Sequence, residues 1–214
     1  RALEEISLPE SITTIEGAAF QKCSGIIKIT IPRDVVKLGE NAFADCTNLR
    51  KLEIPDSVKR IEDAAFANTN LDSLKLPNSL TYIGRCILDG NTGVTEIEIP
   101  KSLEEVGYTW EQPGDREGPF NGSNIQKATL EEGTTTVLAR LFYENSALEE
   151  VDLPESITTI EAAAFQKCSG LTKIIIPQNV LEIGEYAFAE CSILTEIKIP
   201  AATNNLGKYC FSNC

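Results

Sequence analysis

Pairs of apolar residues two positions apart, each followed directly by proline, punctuate the chain. The phrase apolar-x-apolar-Pro places its proline at Pro9, Pro32, Pro55, Pro77, Pro100, Pro154, Pro177 and Pro200. Successive spacings are 23, 23, 22, 23, 54, 23 and 23 residues. Glu131, which closes the phrase Ala128-Thr129-Leu130-Glu131, takes the proline slot inside the long gap and divides it into 31 and 23. A fixed period of this length marks a repeat architecture. It yields nine units, with about eight extra residues inserted in the fifth.

Other columns keep the same phase. Six residues after each anchor stands Ile15, Leu38, Ile61, Ile83, Val106, Val137, Ile160, Ile183 or Leu206. Eleven after it comes Phe20, Phe43, Phe66, Leu88, Phe142, Phe165, Phe188 or Phe211, and Phe120 plays that part after the insertion. This one column accounts for all 8 phenylalanines. Alternation such as Ile97-x-Ile99 or Ile174-x-Ile176 has the period of a half-buried strand, and a strand end tolerates the N–H that proline lacks. Gly39, Gly84, Gly107, Gly184 and Gly207 then read as turn residues. The Ala-Ala-Phe and Asn-Ala-Phe segments predict a short helical or 3-10 piece that drives Phe inward. Stacked about 4.8 Å apart, the coils bury each column against its own copies, and no unit folds alone.

The phrase Leu-x-x-Ile-x-Ile-Pro-x-x-Val-x-x-Ile-Gly-x-x-Ala-Phe-x-x-Cys, as it stands at residues 171–191, resembles the BspA-like leucine-rich repeat. The likeness runs the length of the chain apart from the insertion. It implies an α/β repeat solenoid, a right-handed, β-rich horseshoe of about nine 23-residue coils, with short helical or 3-10 turns on its convex side. Residues 1–214 are expected to form a single leucine-rich-repeat domain with an insertion at 108–119. The resemblance also implies an extracellular or cell-surface location and adhesion to a host, matrix or other cell-surface protein. It names no ligand.

In that fold the strands line the concave face, and the fourth and second residues before each anchor point outward. These read Lys51/Glu53, Glu96/Glu98, Lys127/Thr129, Glu150/Asp152, Lys173/Ile175 and so on. Mixed signs fit a solvated face with pairing between coils. The acidic pairs Glu96/Glu98 and Glu150/Asp152 fit a patch for basic partners equally well. The insertion holds the only Trp, Trp110, together with Tyr108, Glu111 and Arg116. Insertions in repeat proteins map to loops on one face, often the binding face, and a plain surface excursion is the other reading. Asn121-Gly122-Ser123 beside it is a glycosylation sequon, meaningful only in a eukaryotic secretory setting.

Composition narrows the chemistry. With 19 Lys+Arg against 32 Asp+Glu the net charge is −13, which excludes nucleic acid, whose phosphates need clustered cations. No run approaches the roughly 20 apolar residues of a membrane span. There is no His, so Ser-His-Asp and Cys-His catalysis and imidazole metal sites are absent, and no cofactor is expected. Thirty-two acids on a regular lattice make chance carboxylate pairs common, so no enzyme activity is assigned.

Of 7 cysteines, Cys23, Cys46, Cys168, Cys191 and Cys214 occupy one column fourteen residues after the anchor, with Asn91 and Asn145 in the same slot elsewhere. The units around Asn68 and around residues 121–124 read as one residue short there. The column is either a row of buried small residues or a set of disulfides between neighbouring coils, such as Cys23–Cys46. Residues 8–25 and 153–170 differ only at Gly17 against Ala162, a mark of block duplication. With no Met and no leader, the chain reads as a mature segment of a longer protein whose open ends are possible self-association edges. Rival readings are a structural spacer, a carbohydrate-binding accessory module and an intracellular scaffold.

Overall fold

The structure, a computed structural model, describes residues 4–107 and 117–214. The period seen in the sequence becomes a parallel β-solenoid with three sides. The first side carries β1 (Glu5–Ser7), β3 (Lys28–Thr30), β7 (Glu96–Ile99), β9 (Lys127–Leu130) and β11 (Glu150–Asp152). On the second side run β2 (Thr14–Ile15), β4 (Lys37–Leu38), β5 (Arg60–Ile61), β6 (Tyr82–Ile83), β8 (Glu105–Val106), β10 (Thr136–Val137), β12 (Thr159–Ile160), β13 (Glu182–Ile183) and β14 (Asn205–Leu206). One second-side strand per unit gives nine strands and about eight turns.

Register follows the repeat. Ile15 pairs with Leu38, Leu38 with Ile61, and Ile160 with Ile183, so each column stacks on itself. Across the long spacing Ile99 pairs with Leu130, which sets Glu131 opposite Pro100 as the sequence phase requires. Unlike proline, Glu131 has an N–H, and it donates to the Ile99 carbonyl at 3.0 Å. Its carboxylate accepts the Lys101 amide at 3.0 Å and pairs with Lys101 Nζ at 2.9 Å. Among the described residues no pairing joins β8 to β10, so the second side divides at the insertion into sheets of five and four strands.

The third side corrects an expectation. Among the described residues there is no helix, α or 3-10; the Ala-Phe segments are turns. Residues nine and thirteen after the anchor are left-handed, as at Ala18 (φ 58°) and Lys22 (φ 62°) or Ala163 (φ 56°) and Lys167 (φ 63°). Two left-handed residues four apart end any helix before one turn is complete. Alternate amides then go to different places. Ala18, Phe20 and Lys22 donate to Glu40, Ala42 and Ala44 of the next coil at 2.7–2.8 Å, while Gln21 and Cys23 donate three residues back within their own coil. The third side is thus bonded coil to coil much as the sheets are.

The expected turn glycines serve a different purpose. A Cβ on Gly39 would lie 2.4 Å from the backbone nitrogen of Gly17, so the side chain is excluded by the close approach of neighbouring coils. Inside, the phenylalanines form two stacks, Phe20 to Phe66 and Phe120 to Phe211. Ring centroids of Phe142, Phe165 and Phe188 are 5.4 and 5.1 Å apart with planes within 11°. Leu88 fills the slot between Phe66 and Phe120, and these three side chains are fully buried.

Candidate functional site: an acidic strand face with an open seam

The two acidic pairs that looked separate in sequence lie on one sheet. β9 runs between β7 and β11, so Glu96, Lys127 and Glu150 form one row across three coils and Glu98, Thr129 and Asp152 form the next. All four carboxylates are solvent-exposed. Half-buried Lys127 reaches towards coil 7 and bonds Glu150 Oε1 at 2.8 Å and Asp152 Oδ2 at 2.9 Å. Hydrogen bonds that it donates to Glu150 and then Asp152 hold the Lys127 ammonium above the usual lysine range. Among the described residues Glu96 and Glu98 have no ion pair. Four carboxylates around one lysine leave the patch acidic, and as exposed charges they act mainly on encounter rate and selectivity.

Among the described residues the first side is paired only in blocks, β1 with β3 and β7 through β9 to β11, and beyond β11 it comes apart again. Residues 173–176 of coil 8 occupy the strand position, yet among the described residues no backbone hydrogen bond or strand pairing joins them to β11. Lys173 instead bridges onward to Glu196 in coil 9. This seam opens into a groove of about 520 Å³, lined by Glu150, Asp152, Glu155, Lys173 and Ile175 and floored by Val151. Ile175 is 69% exposed. It stands in an outward position that Thr30, Glu53, Glu98, Asp152 and Lys198 fill in other coils.

Tyr108, Trp110, Glu111 and Arg116 lie outside the described residues. Residues 117–119, the end of the expected insertion, already belong to the coil. Gly118 and Pro119 carbonyls accept from Cys86 and Ile87, and the Cys86 thiol donates to the Glu117 carboxylate at 3.3 Å. Other aromatics are distributed differently from the sequence reading. Tyr143 is buried, and Tyr82 lies under the Arg60 guanidinium at 3.8 Å. The exposed pair is Tyr186 and Tyr209, stacked at 5.1 Å. Sequence reasoning missed this pair, although both stand nine residues after their anchors, 23 apart.

All seven cysteines are free thiols. In the column, Cys46, Cys168, Cys191 and Cys214 donate to the carbonyls of Phe20, Phe142, Phe165 and Phe188 in the preceding coil, at 3.0–3.1 Å. Thr69 and Ser123 fill the slot in the third and fifth units, each hydroxyl bonding the Phe three residues back. These units are therefore complete at the column, and the missing residue falls just after it. Asn91 bonds Thr69 and Leu71 carbonyls and accepts from Gly93 and Val94, whereas the side-chain amide of buried Asn145 has no hydrogen-bond partner among the described residues. Burial pushes the thiols up, Cys46 to about 11 and Cys191 to about 12, with a neighbouring cysteine adding to each shift. Protonated thiols are poor nucleophiles, so the column does structural work.

Among the described residues no cluster of three or more Cys, Asp or Glu has the arrangement of a metal site, and no helix is long and apolar enough to cross a membrane. The fold and column pattern together define a leucine-rich-repeat solenoid. The model for the BspA type leucine-rich repeat region matches residues 1–110 and 116–214 in six copies, and the chain belongs to that family. No curated protein matches the sequence significantly. Among solved structures, the chain is similar to a leucine-rich repeat protein from Eubacterium ventriosum, with 24% identity and a TM-score of 0.54 over 99% of this chain and 64% of that one. It is also similar to the T. pallidum leucine-rich repeat protein, with 21% identity and a TM-score of 0.60 over 90% of this chain and 78% of that one. The chain thus spans less than two thirds of the Eubacterium ventriosum protein's length. At these identities the likeness is one of fold.

Proposed function

We propose that residues 1–214 act as one non-enzymatic, protein-binding domain of a cell-surface or secreted protein, engaging another surface or matrix protein through the first strand side. The observation that carries this reading is the convergence of Glu96, Glu98, Glu150 and Asp152 on three adjacent strands. A rigid ladder holds these carboxylates at fixed spacing, which suits recognition of a basic surface. Membership of the BspA type family supports an interaction role. Tyr108, Trp110, Glu111 and Arg116 are proposed as a second contact, because Tyr, Trp and Arg are the residue types that dominate binding hot spots.

Immobilised matrix and host-cell surface proteins, probed with the whole chain, test this. Wild type is expected to bind in a salt-sensitive manner, the Glu96→Lys/Glu98→Lys double variant more weakly, and a deletion of residues 108–116 more weakly still. Absence of binding above background by wild type overturns the proposal. Wild-type binding that neither change reduces assigns the contact elsewhere and leaves these residues without a role.

A further inference from the structure

We infer that the seam between coils 7 and 8 is a docking groove for one extended, basic segment of a partner protein, which adds to the open edge of β11 as a strand. The inference rests on the protein-binding reading above and names the partner's chemistry. Among the described residues β11 has a strand partner, β9, on one edge only, although it lies in the interior of the ladder; β3 and β7 also lack a second partner, and at β11 the unpaired edge borders the groove. An interior strand normally spends both edges on its neighbours. An unsatisfied edge is a template for another chain, because main-chain N–H and C=O groups bond any extended backbone.

What surrounds that edge selects the occupant. The groove volume, about 520 Å³, is within the range of roughly 300–1,000 Å³ typical of ligand clefts. Its β11 wall carries Glu150 and Asp152, and Glu149 and Glu155 lie at its ends. Lys173 is the one cation among the groove's lining residues, and Lys127 compensates the β11 wall from behind. Carboxylates therefore outnumber cations, and a segment bearing Lys or Arg on the side chains that face β11 is complementary. On the opposite wall Ile175 is the apolar exception in an otherwise polar column, and its exposed side chain offers a contact to one aliphatic residue of the segment. Asp152 and Ile175 both stand in outward positions, so the outward side chains of the segment, every second residue, carry the basic groups and the one aliphatic group that meet the two walls. Backbone pairing supplies affinity and the walls supply sequence preference.

The test uses the whole chain and a fluorescein-labelled heptapeptide, Thr-Lys-Thr-Ile-Thr-Lys-Thr, followed by anisotropy at low and high salt. Expected is saturable binding that weakens about tenfold or more with Ile175→Ser or Asp152→Lys, a difference of roughly 1.4 kcal/mol. Asp34→Lys, which changes charge equally on another part of the coil, leaves binding unchanged. A peptide N-methylated at alternate amides, or carrying Glu in place of Lys, binds at least about tenfold more weakly. No binding of the labelled peptide, equal binding of the Glu peptide, or indifference to N-methylation overturns the inference. A parallel capture of surface proteins separates the two proposals. If Ile175→Ser and Asp152→Lys proteins capture partners as wild type does, the groove inference falls while the protein-binding reading stands. If wild type captures nothing, that reading falls as well.

Discussion

The Cys191 thiol donates to the carbonyl oxygen of Phe165 in the preceding coil, 3.1 Å away, and that same oxygen accepts the Cys168 amide at 3.1 Å. One acceptor thus ties a coil to itself and to its successor. Cys191→Ala is expected to lower stability by about 1–2 kcal/mol, through lost packing and a lost donor in a fully buried slot. Cys191→Ser keeps a donor and should fall between Ala and wild type. Denaturant midpoints at constant slope measure both.

Raised thiol values carry a pH signature. A group whose folded value exceeds its ordinary 9.0 binds its proton more tightly when folded, so its contribution is complete below pH 9 and fades above it. With Cys46 at about 11 and Cys191 at about 12, the melting temperature should drop as pH rises from 9 towards 12. Alkylation of buried Cys46, Cys168 and Cys191 should follow unfolding at pH 8, with exposed Cys214 labelled first. Early modification of Cys168 in the native protein contradicts this.

Asn145 sits in the same column with a buried amide that has no partner among the described residues. Replacing it with the residue type of the following coils, Asn145→Cys, removes an unsatisfied polar group. The expected gain is about 1–3 kcal/mol, read as a higher unfolding midpoint. A loss of stability shows that the amide is needed where it stands.

Restoring the repeat consensus at Glu131 should do harm. Glu131→Pro deletes the donor to Ile99 and the carboxylate that caps the Lys101 amide. Glu131→Gln keeps the donor and is expected to be milder. Contacts from Lys101, its backbone amide first, hold the Glu131 carboxyl below its ordinary 4.5, so this contribution is present above pH 4.5 and lost on acidification below it. The difference between wild type and Glu131→Gln should therefore shrink at acid pH in thermal melts.

Adjacent alanines should answer glycine differently. Ala64 has φ 52°, and Ala64→Gly relieves that conformation while loosening the unfolded chain, leaving stability within about 0.5 kcal/mol of wild type. Ala65 is fully buried without a left-handed backbone, and Ala65→Gly should cost about 1 kcal/mol or more. Equal effects at the two positions contradict the turn geometry.

Most of the architecture was legible because each column has one environment, repeated. Ile15 and Leu38 must be apolar for the same reason, and the phase places Glu131 in the proline slot without a proline to mark it. The turns were not legible in this way. Ala-Ala-Phe carries strong local helix preference, yet coil-to-coil bonds such as Phe20 to Ala42 outweigh it and leave Ala, Asn, Lys and Tyr in left-handed positions. Nor could a single coil's sequence show that Lys127 reaches Glu150 and Asp152, since the contact exists only between coils. The open edge of β11 is hidden for the same reason: residues 173–176 keep the strand alternation but not the pairing.

The way the third side divides its amides has a mechanical consequence. Bonds such as Ala18 to Glu40 and Phe20 to Ala42 run along the stacking axis, like the sheet bonds of the other two sides. Tension applied along that axis is borne in series, so each interval between neighbours carries the full force and the most sparsely bonded one yields first. Five intervals have a side without strand bonding among the described residues: β8 to β10 on the second side, and on the first side β3 to residues 51–54, residues 51–54 to 73–76, residues 73–76 to β7, and β11 to residues 173–176. The chain is in this sense a spring with five soft turns, lengthening in discrete steps there while the remaining coils stay wound.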